Sequence, residues 1–466
     1  MGVRGRAGLG VCECRRVLAD LHLHVYGCIR ARVLLEHLAG RDTVRWEEYE
    51  AGVLAAFGEV PPTREVVARY RSGDGAAAAE FERLFVVGDD DAGSFDRFQA
   101  KFDLAYAGSA LGDPGADAAA AAAEVAGFAA AIRADQAAAG VTHAEYRIKL
   151  GADLSSEVDR AVLDTLLAGY DRPGGELTER LAVSLDRADP WAGWDRVQEL
   201  ALGPHGAAFT AVDFCGVEEG FPPKGLAGFF TAVRALNAAH PQRALAVLCH
   251  VGESFQDKSL ESAVRWVQEV ADNGAHRLGH AIALGVDPDL FGPHTRSESV
   301  GERRDQIGYD LAHRDGLVAV GVPVDVDSLH VELTGLAPLP ADATLAVEYD
   351  QARLDDVRRR QQFAMSRVRA TGAVIEVCPT SNRQIGGISD PAHHPVHRFL
   401  AAGLPVVVGS DDPGVLDTTL TRELDQVCAG VPDPGALREQ LLDTAVRSRS
   451  EVLTGRISYR RSDLAP

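Results

Sequence analysis

Three histidines and one aspartate occupy positions from which they could share a metal ion. His22 and His24 are two residues apart in an apolar run, and residues i and i+2 of a β-strand point to the same face. His250 and Asp411 also end apolar runs. Any one of these histidines is more often a structural, hydrogen-bonded residue. Three imidazoles with one carboxylate, however, suit Zn²⁺ with a further position left for water.

Three more polar residues could perform chemistry beside such a metal. Glu253 follows His250 by three residues, and its carboxylic acid could protonate a ring nitrogen, although a helix first-turn acid is an equally good interpretation when it is taken alone. His280 could steer an attacking water or stabilise developing charge. Asp411 and Asp412 are adjacent, so along a regular strand only one could face inward. We expect Asp411 to bind metal and Asp412 to contact substrate, with a simple Asx turn as the alternative.

Eight short segments are predicted to be β-strands, and helical stretches alternate with them. Several are apolar throughout, which favours a parallel sheet covered on both faces. The predicted strands are residues 17–24, 141–149, 179–185, 208–214, 244–250, 276–280, 373–378 and 404–410. Ligand-type residues collect where these strands end. That pattern predicts an α/β fold of the (β/α)₈ TIM-barrel type, with an open doubly wound sheet as the competing layout.

Two connections are longer than simple crossovers. Residues 30–140 follow strand one and are expected to form a helical insertion, because the Ala-rich run 118–131 has high helix propensity. A second insertion, about 285–370, separates strands six and seven and is expected to act as a lid or an interface. No linker divides the chain, so residues 1–466 are predicted to form a single domain.

Taken together, the motifs resemble those of the adenosine deaminase family within the amidohydrolase superfamily. The matching blocks, in family order, are His22–His24, Asp213–Glu218, His250–Glu253, Arg277–His280, Cys378–Asn382 and Gly409–Pro413. The resemblance implies a zinc-dependent hydrolase of C–N bonds in cyclic amidines, which converts a 6-aminopurine nucleoside into its 6-oxo product and ammonia. It implies one zinc per chain, held by His22, His24, His250 and Asp411.

The resemblance also implies individual roles in substrate binding and catalysis. Glu253 would protonate purine N1, and His280 and Asp411 would orient the attacking water. Asp412 would contact N7, and the backbone N–H of Gly216 would contact N3. Tyr26 stands where the family often has an acidic or small polar residue near the sugar. We therefore expect Tyr26 to bind the substrate and to recognise the sugar differently from the residue usual in the family.

The composition limits the partners. The net charge of −21 argues against nucleic acid, which needs clustered basic residues. No apolar run is long enough for a membrane span, and no signal peptide is expected. Seven loosely spaced cysteines, including Cys12 and Cys14, predict no disulfide framework and favour the cytoplasm.

Several alternatives stay open at this stage. The substrate is expected to be adenosine or a relative, and the alternatives are N6-substituted, 5′-modified or specialised-metabolite nucleosides. A catalytically silent nucleoside-binding protein on the same barrel and a nucleic-acid deaminase are the rival classes. The oligomeric state is not predicted.

Overall fold

Ten β-strands are present in the computed structural model, which describes residues 17–459 apart from residues 112, 114 and 389. They are β1 (Ala19–His24), β2 (His143–Lys149), β3 (Thr178–Ser184), β4 (Phe209–Asp213), β5 (Ala246–Val251), β6 (Arg277–His280), β7 (His294–Ser299), β8 (Thr344–Tyr349), β9 (Val374–Val377) and β10 (Val406–Val408). Eight of them, all except β7 and β8, form one parallel sheet in the order β1-β2-β3-β4-β5-β6-β9-β10. Cys12 and Cys14 lie outside the described residues.

The sheet curls until its last strand returns to its first. Leu23 and Asp411 form a parallel bridge. The Asp411 N–H donates to the carbonyl of His22 at 2.8 Å, and the His24 N–H donates to the carbonyl of Asp411 at 3.0 Å. The predicted (β/α)₈ barrel is therefore confirmed, all eight predicted strands are present, and the open-sheet alternative is wrong. Closure takes place at the carboxyl ends of the strands, where such barrels carry their sites.

Twenty α-helices surround the barrel in the described part of the chain. They are α1 (Ala31–Gly40), α2 (Trp46–Phe57), α3 (Thr63–Arg71), α4 (Ala77–Phe85), α5 (Phe95–Ala107), α6 (Ala118–Ala138), α7 (Glu157–Tyr170), α8 (Trp194–Leu202), α9 (Ala227–Ala239), α10 (Leu260–Asp272), α11 (Ile282–Gly285), α12 (Val300–Ala312), α13 (Arg314–Ala319), α14 (Val326–Leu336), α15 (Gln351–Thr371), α16 (Pro379–Gln384), α17 (Val396–Ala401), α18 (Leu420–Cys428), α19 (Pro434–Arg447) and α20 (Ser450–Leu453). The Ala-rich run forms α6, whose N-terminus is capped by the carboxylate of Asp117. None of the helices in this part of the chain combines the length and apolar character that crossing a lipid bilayer requires.

Charged residues fill the floor of the barrel beneath the strand ends. Arg277 contacts both Glu145 and Glu376, with nitrogen–oxygen distances of 2.7 and 2.6 Å. Arg147 pairs with Glu376 as well, and its Nη1 lies 3.7 Å from Asp213 Oδ1. Because burying an unpaired charge is very costly, these residues must be present as a mutually compensated set.

The segment 285–370 packs mainly beside the barrel rather than over its mouth. Strands β7 and β8 form an antiparallel hairpin, and helices α12 and α15 contact α10, which is buried on nearly all sides. Arg296 of the hairpin donates to the carbonyls of Phe255 and Lys258. Glu298 accepts hydrogen bonds from the backbone and the hydroxyl of Ser259. The hairpin therefore holds the loop that follows β5.

Candidate active site

His22 and His250 face each other at the centre of the barrel mouth, with their Nε2 atoms 3.1 Å apart. The opposite nitrogen of each ring meets a buried carboxylate. His22 Nδ1 lies 2.9 Å from Glu376 Oε2, and His250 Nδ1 lies 3.4 Å from Asp213 Oδ1. A carboxylate beside Nδ1 keeps the proton on that nitrogen and leaves a lone pair on Nε2. Burial also lowers the pKa of His250 to about 4, so its ring is neutral at physiological pH.

Two further donors converge on the same point. Asp411 Oδ1 lies 3.4 Å from His22 Nε2 and 3.2 Å from His24 Nε2. Tetrahedral zinc with bonds of about 2.0–2.2 Å separates its ligand atoms by roughly 3.3–3.6 Å. Lone pairs this close repel one another unless a positive charge lies between or beside them. The donor set therefore fits a divalent cation in both its chemistry and its spacing.

Arg147 supplies part of that positive charge from the barrel floor. Its Nη1 lies 3.1 Å from His22 Nε2 and 3.5 Å from His250 Nε2. Burial opposes ionisation of Glu376, but Arg147 and Arg277 outweigh it and hold the pKa of this carboxyl well below its usual range. Glu376 thus stays an anion that accepts from His22, and Arg147 helps to fix the orientation of both imidazoles.

His280 and Cys378 also lie near the ligands, each in a group whose donor atoms are within 4.8 Å of one another. Hydrogen bonding argues against His280 as a ligand. His394 Nδ1 accepts from the Val396 N–H, so His394 Nε2 carries the proton and donates to Asn382 Oδ1 at 3.0 Å. The amide nitrogen of Asn382 then donates to His280 Nδ1 at 2.9 Å. The remaining proton of His280 must be on Nε2, the atom that faces the pocket.

Cys378 is a poor ligand for a different reason. Burial, and after it the charge of Asp411, raises the pKa of this thiol well above its ordinary value. Metals bind the thiolate, so a thiol held in its protonated form competes badly with imidazole nitrogens and an ionised carboxylate. Of the clustered groups, His22, His24, His250 and Asp411 are the best donors.

Glu253 lies beside His280 at the edge of the pocket, with its Oε1 3.4 Å from His280 Nε2. That oxygen is buried and has no hydrogen-bond partner among the described residues. Burial raises the pKa of Glu253 well above its ordinary value, and the neighbouring charge of Asp411 adds to the effect. Both effects favour the protonated acid form of a side chain that is directed into the pocket.

The two adjacent aspartates both reach the pocket because the backbone breaks its strand geometry between them. Asp411 has φ = 60°, in the left-handed region that residues other than glycine rarely adopt. Asp412 Oδ1 is buried and has no hydrogen-bond partner in the described part of the chain, and a Cβ at Gly27 would overlap this carboxyl group. Burial raises the pKa of Asp412 well above its usual range, with Asp411 as the second cause. A regular strand would have turned one of the two residues away.

The pocket above these residues has a volume of about 560 Å³, within the range of small-molecule sites. Gly216 lies on its wall with φ = 79°. Tyr26 also borders the pocket, but its ring is almost fully buried and stacks on Tyr106 at a centroid distance of 4.7 Å. Burial raises the pKa of the Tyr26 hydroxyl. A role for Tyr26 in sugar binding stays a prediction.

Sequence reasoning missed the residues that hold this site in place. The sequence assigned no role to four residues that contact the predicted residues or their partners: Arg147, Glu376, His394 and Asn382, of which Asn382 was named only as the end of a matching block. Glu376 could have been identified from the sequence, because a carboxylate inside the apolar run 374–377 needs a buried cation as its partner. His394 could not, because the loop that brings it to Asn382 has no periodic sequence pattern.

Comparisons with known proteins find matches among purine deaminases. A family model described as "Adenosine deaminase" matches residues 352–448, the part that contains β9, β10 and Asp411. A protein of Acidothermus cellulolyticus named aminodeoxyfutalosine deaminase is 55% identical over 166 residues, which cover 32% of this chain and 46% of that protein. An adenosine deaminase of Mycobacteroides abscessus is 25% identical over 297 residues, which cover 62% of this chain and 61% of that protein.

The whole fold matches a solved structure at lower identity. An amidohydrolase from Burkholderia ambifaria, described with bound Zn, has a TM-score of 0.50 and 14% identity over 95% of this chain and 90% of that one. At this identity the likeness concerns the fold alone. The chain aligns with about half to three fifths of the length of the two curated relatives.

Proposed function

We propose that the chain is a member of the adenosine deaminase family and a metal-dependent aminohydrolase that removes the 6-amino group of adenosine or a related purine nucleoside. The observation that carries this proposal is the convergence of three imidazoles and one carboxylate at a barrel mouth, beside a buried glutamic acid whose Oε1 has no hydrogen-bond partner among the described residues. The cluster of metal-binding side chains alone could equally be a structural metal site, and the glutamic acid alone does not indicate hydrolysis. Together they could supply both the nucleophile and the acid that a hydrolytic deamination requires.

One zinc ion would be held by His22, His24, His250 and Asp411. Neutral imidazole and carboxylate suit zinc, and the fold neighbour from Burkholderia is described with bound Zn. When bound, such an ion lowers the pKa of water and so supplies a nucleophile near neutral pH. The other steps belong to residues of the chain.

Glu253 activates the purine. Its acid proton would be donated to N1, which draws electrons from the N1–C6 bond and makes C6 electrophilic. Water oxygen then forms a bond to C6, and the proton that the water loses restores the acid form of Glu253. The new C6 hydroxyl passes its proton to the amino group, the C6–N bond breaks, and ammonia leaves behind a 6-oxo purine that keeps a proton on N1.

His280 and Asp412 would orient the reactants. His280 presents Nε2–H to the pocket, so it donates a hydrogen bond to the oxygen that attacks C6 and stabilises negative charge there. Asp412, protonated in its buried setting, is suited to donate to N7, which is an acceptor. The backbone N–H of Gly216 is the proposed partner of N3, and Tyr26 is proposed to border the sugar.

The substrate panel that tests the proposal contains adenosine, aminodeoxyfutalosine, adenine and N6-methyl-AMP. Aminodeoxyfutalosine is included because the Acidothermus relative is named for it. We expect ammonia release from at least one 6-aminopurine nucleoside, with oxygen from isotopically labelled water in the 6-oxo product. Binding of these compounds without release of ammonia, or of methylamine from N6-methyl-AMP, would favour the silent-binder alternative and contradict the proposal.

We also propose the cytoplasm as the compartment. The five described cysteines, Cys28, Cys215, Cys249, Cys378 and Cys428, are all buried and free. A chain that carries free thiols throughout its core is typical of a reducing environment.

A further inference from the structure

Lys149 is a cation with no carboxylate partner among the described residues of an acidic protein. The chain has only four lysines, and the other three each pair with an aspartate: Lys101 with Asp91, Lys224 with Asp305, and Lys258 with Asp257. Within residues 17–459 and outside their three gaps, no carboxylate oxygen lies within 4.0 Å of the Lys149 ammonium. The chain has 68 acidic residues, so the lack of a carboxylate near Lys149 does not follow from a low number of acidic residues.

The position of Lys149 relates it to the pocket. It is the last residue of β2, two residues beyond Arg147, so both side chains lie on the same face of the strand. Arg147 supports the floor of the site, whereas Lys149 is exposed at the mouth and lines the pocket. Its Nζ lies 3.2 Å from the point that a Cβ on Gly216 would occupy. The ammonium therefore reaches the wall proposed to contact purine N3.

The remaining wall of the mouth is mainly aromatic, with Arg45, Gln99 and Asp159 as its polar residues. Helix α5 turns Phe95, Phe98, Phe102 and Tyr106 toward the pocket, at the three- and four-residue spacing of one helix face. Arg45 is the other cation of this wall. Its guanidinium is already bound to the carbonyls of Tyr106 and Leu111 and to Glu48. Lys149 is thus the pocket cation at the mouth that is free to bind an anion.

We propose that Lys149 binds an anionic group on the 5′ substituent of the substrate, and this inference rests on the proposed function. With N1 directed to Glu253 and N3 to Gly216, the sugar on N9 faces the mouth. The 5′ carbon is the exocyclic carbon of the sugar and extends furthest toward Lys149. A single lysine beside aromatic side chains suits a carboxylate at the end of an apolar substituent better than a phosphate dianion, which usually receives several donors.

The test compares matched substrates. A 5′-thioether of adenosine with a terminal carboxylate is compared with its primary amide, and AMP is compared with adenosine. For the wild-type protein we expect kcat/KM to be about tenfold higher for the carboxylate than for the amide at low salt. This ratio should fall as salt is added, because Lys149 is exposed. A preference for AMP over adenosine, without one for the carboxylate, would identify phosphate as the source of the anion.

Substitutions of lysine residues test whether Lys149 causes the preference for the carboxylate over the amide. Lys149→Met should reduce the carboxylate-to-amide ratio to about one, and Lys149→Arg should retain most of it. Lys224→Met removes a lysine that is paired far from the pocket and should leave the ratio unchanged. An equal ratio in the wild-type and Lys149→Met proteins would overturn the inference. If the wild-type protein deaminates none of the nucleosides, the proposed function fails instead, so the two failures are distinguishable.

Discussion

Replacing Glu253 with glutamine is expected to lower kcat for deamination by about 10²–10⁴-fold, the usual contribution of general acid catalysis. Glutamine has nearly the same shape but no acidic proton to give to purine N1. Because Glu253 Oε1 has no hydrogen-bond partner among the described residues, the substitution breaks no existing bond at that atom. Steady-state kinetics on the best substrate of the panel measures the effect.

The matched control for this variant is Glu219→Gln. Glu219 lies near the same loop, where it accepts a hydrogen bond from Ser254, and it has no assigned role in the reaction. We expect near wild-type kcat for this variant and an unchanged metal content for both. Wild-type kcat in Glu253→Gln would remove Glu253 from its proposed role as the acid.

Replacing a proposed metal ligand is expected to have the second large effect. His22→Ala and Asp411→Ala should each lower kcat/KM by more than about 100-fold, beyond the 10–100-fold typical when a partner of a ligand is lost. Each change removes one of four donor atoms and leaves the others too few to hold the ion firmly. Dialysis against a chelator should abolish activity in the wild-type protein, and added Zn²⁺ should restore it.

Cys378→Ala separates this ligand set from the competing one. Cys378 lies in a group with His280 and Asp411, but its thiol is held protonated. We therefore expect the variant to keep one equivalent of metal. Loss of metal from Cys378→Ala, together with its retention in His22→Ala, would show that the ligands have been assigned wrongly.

The parts of the site that the sequence predicts follow from simple periodic rules. His22 and His24 share a strand face because side chains alternate, and His250 and Asp411 meet them because the carboxyl ends of barrel strands converge. These rules can be applied without knowing the conformations of the loops. The same reasoning predicts all eight barrel strands from their apolar runs.

The features of the site that the sequence does not predict depend on irregular backbone and on contacts between residues far apart in the chain. The left-handed turn at Asp411 lets both aspartates face the pocket, and strand alternation would have excluded it. The orientation of His280 depends on His394, which reaches Asn382 through a loop. The segment 285–370, expected to be a lid or an interface, contributes no residue to the described lining of the pocket. It braces the loop after Glu253 through Arg296.

Anomalous diffraction at the zinc edge, from crystals of the active protein, would show whether a metal ion lies among the four proposed donors. We predict one strong peak per chain, bounded by the Nε2 atoms of His22, His24 and His250 and by the carboxylate of Asp411. A protein that deaminates purine nucleosides with no metal peak there, or with its peak between His280 and Cys378, would contradict this prediction.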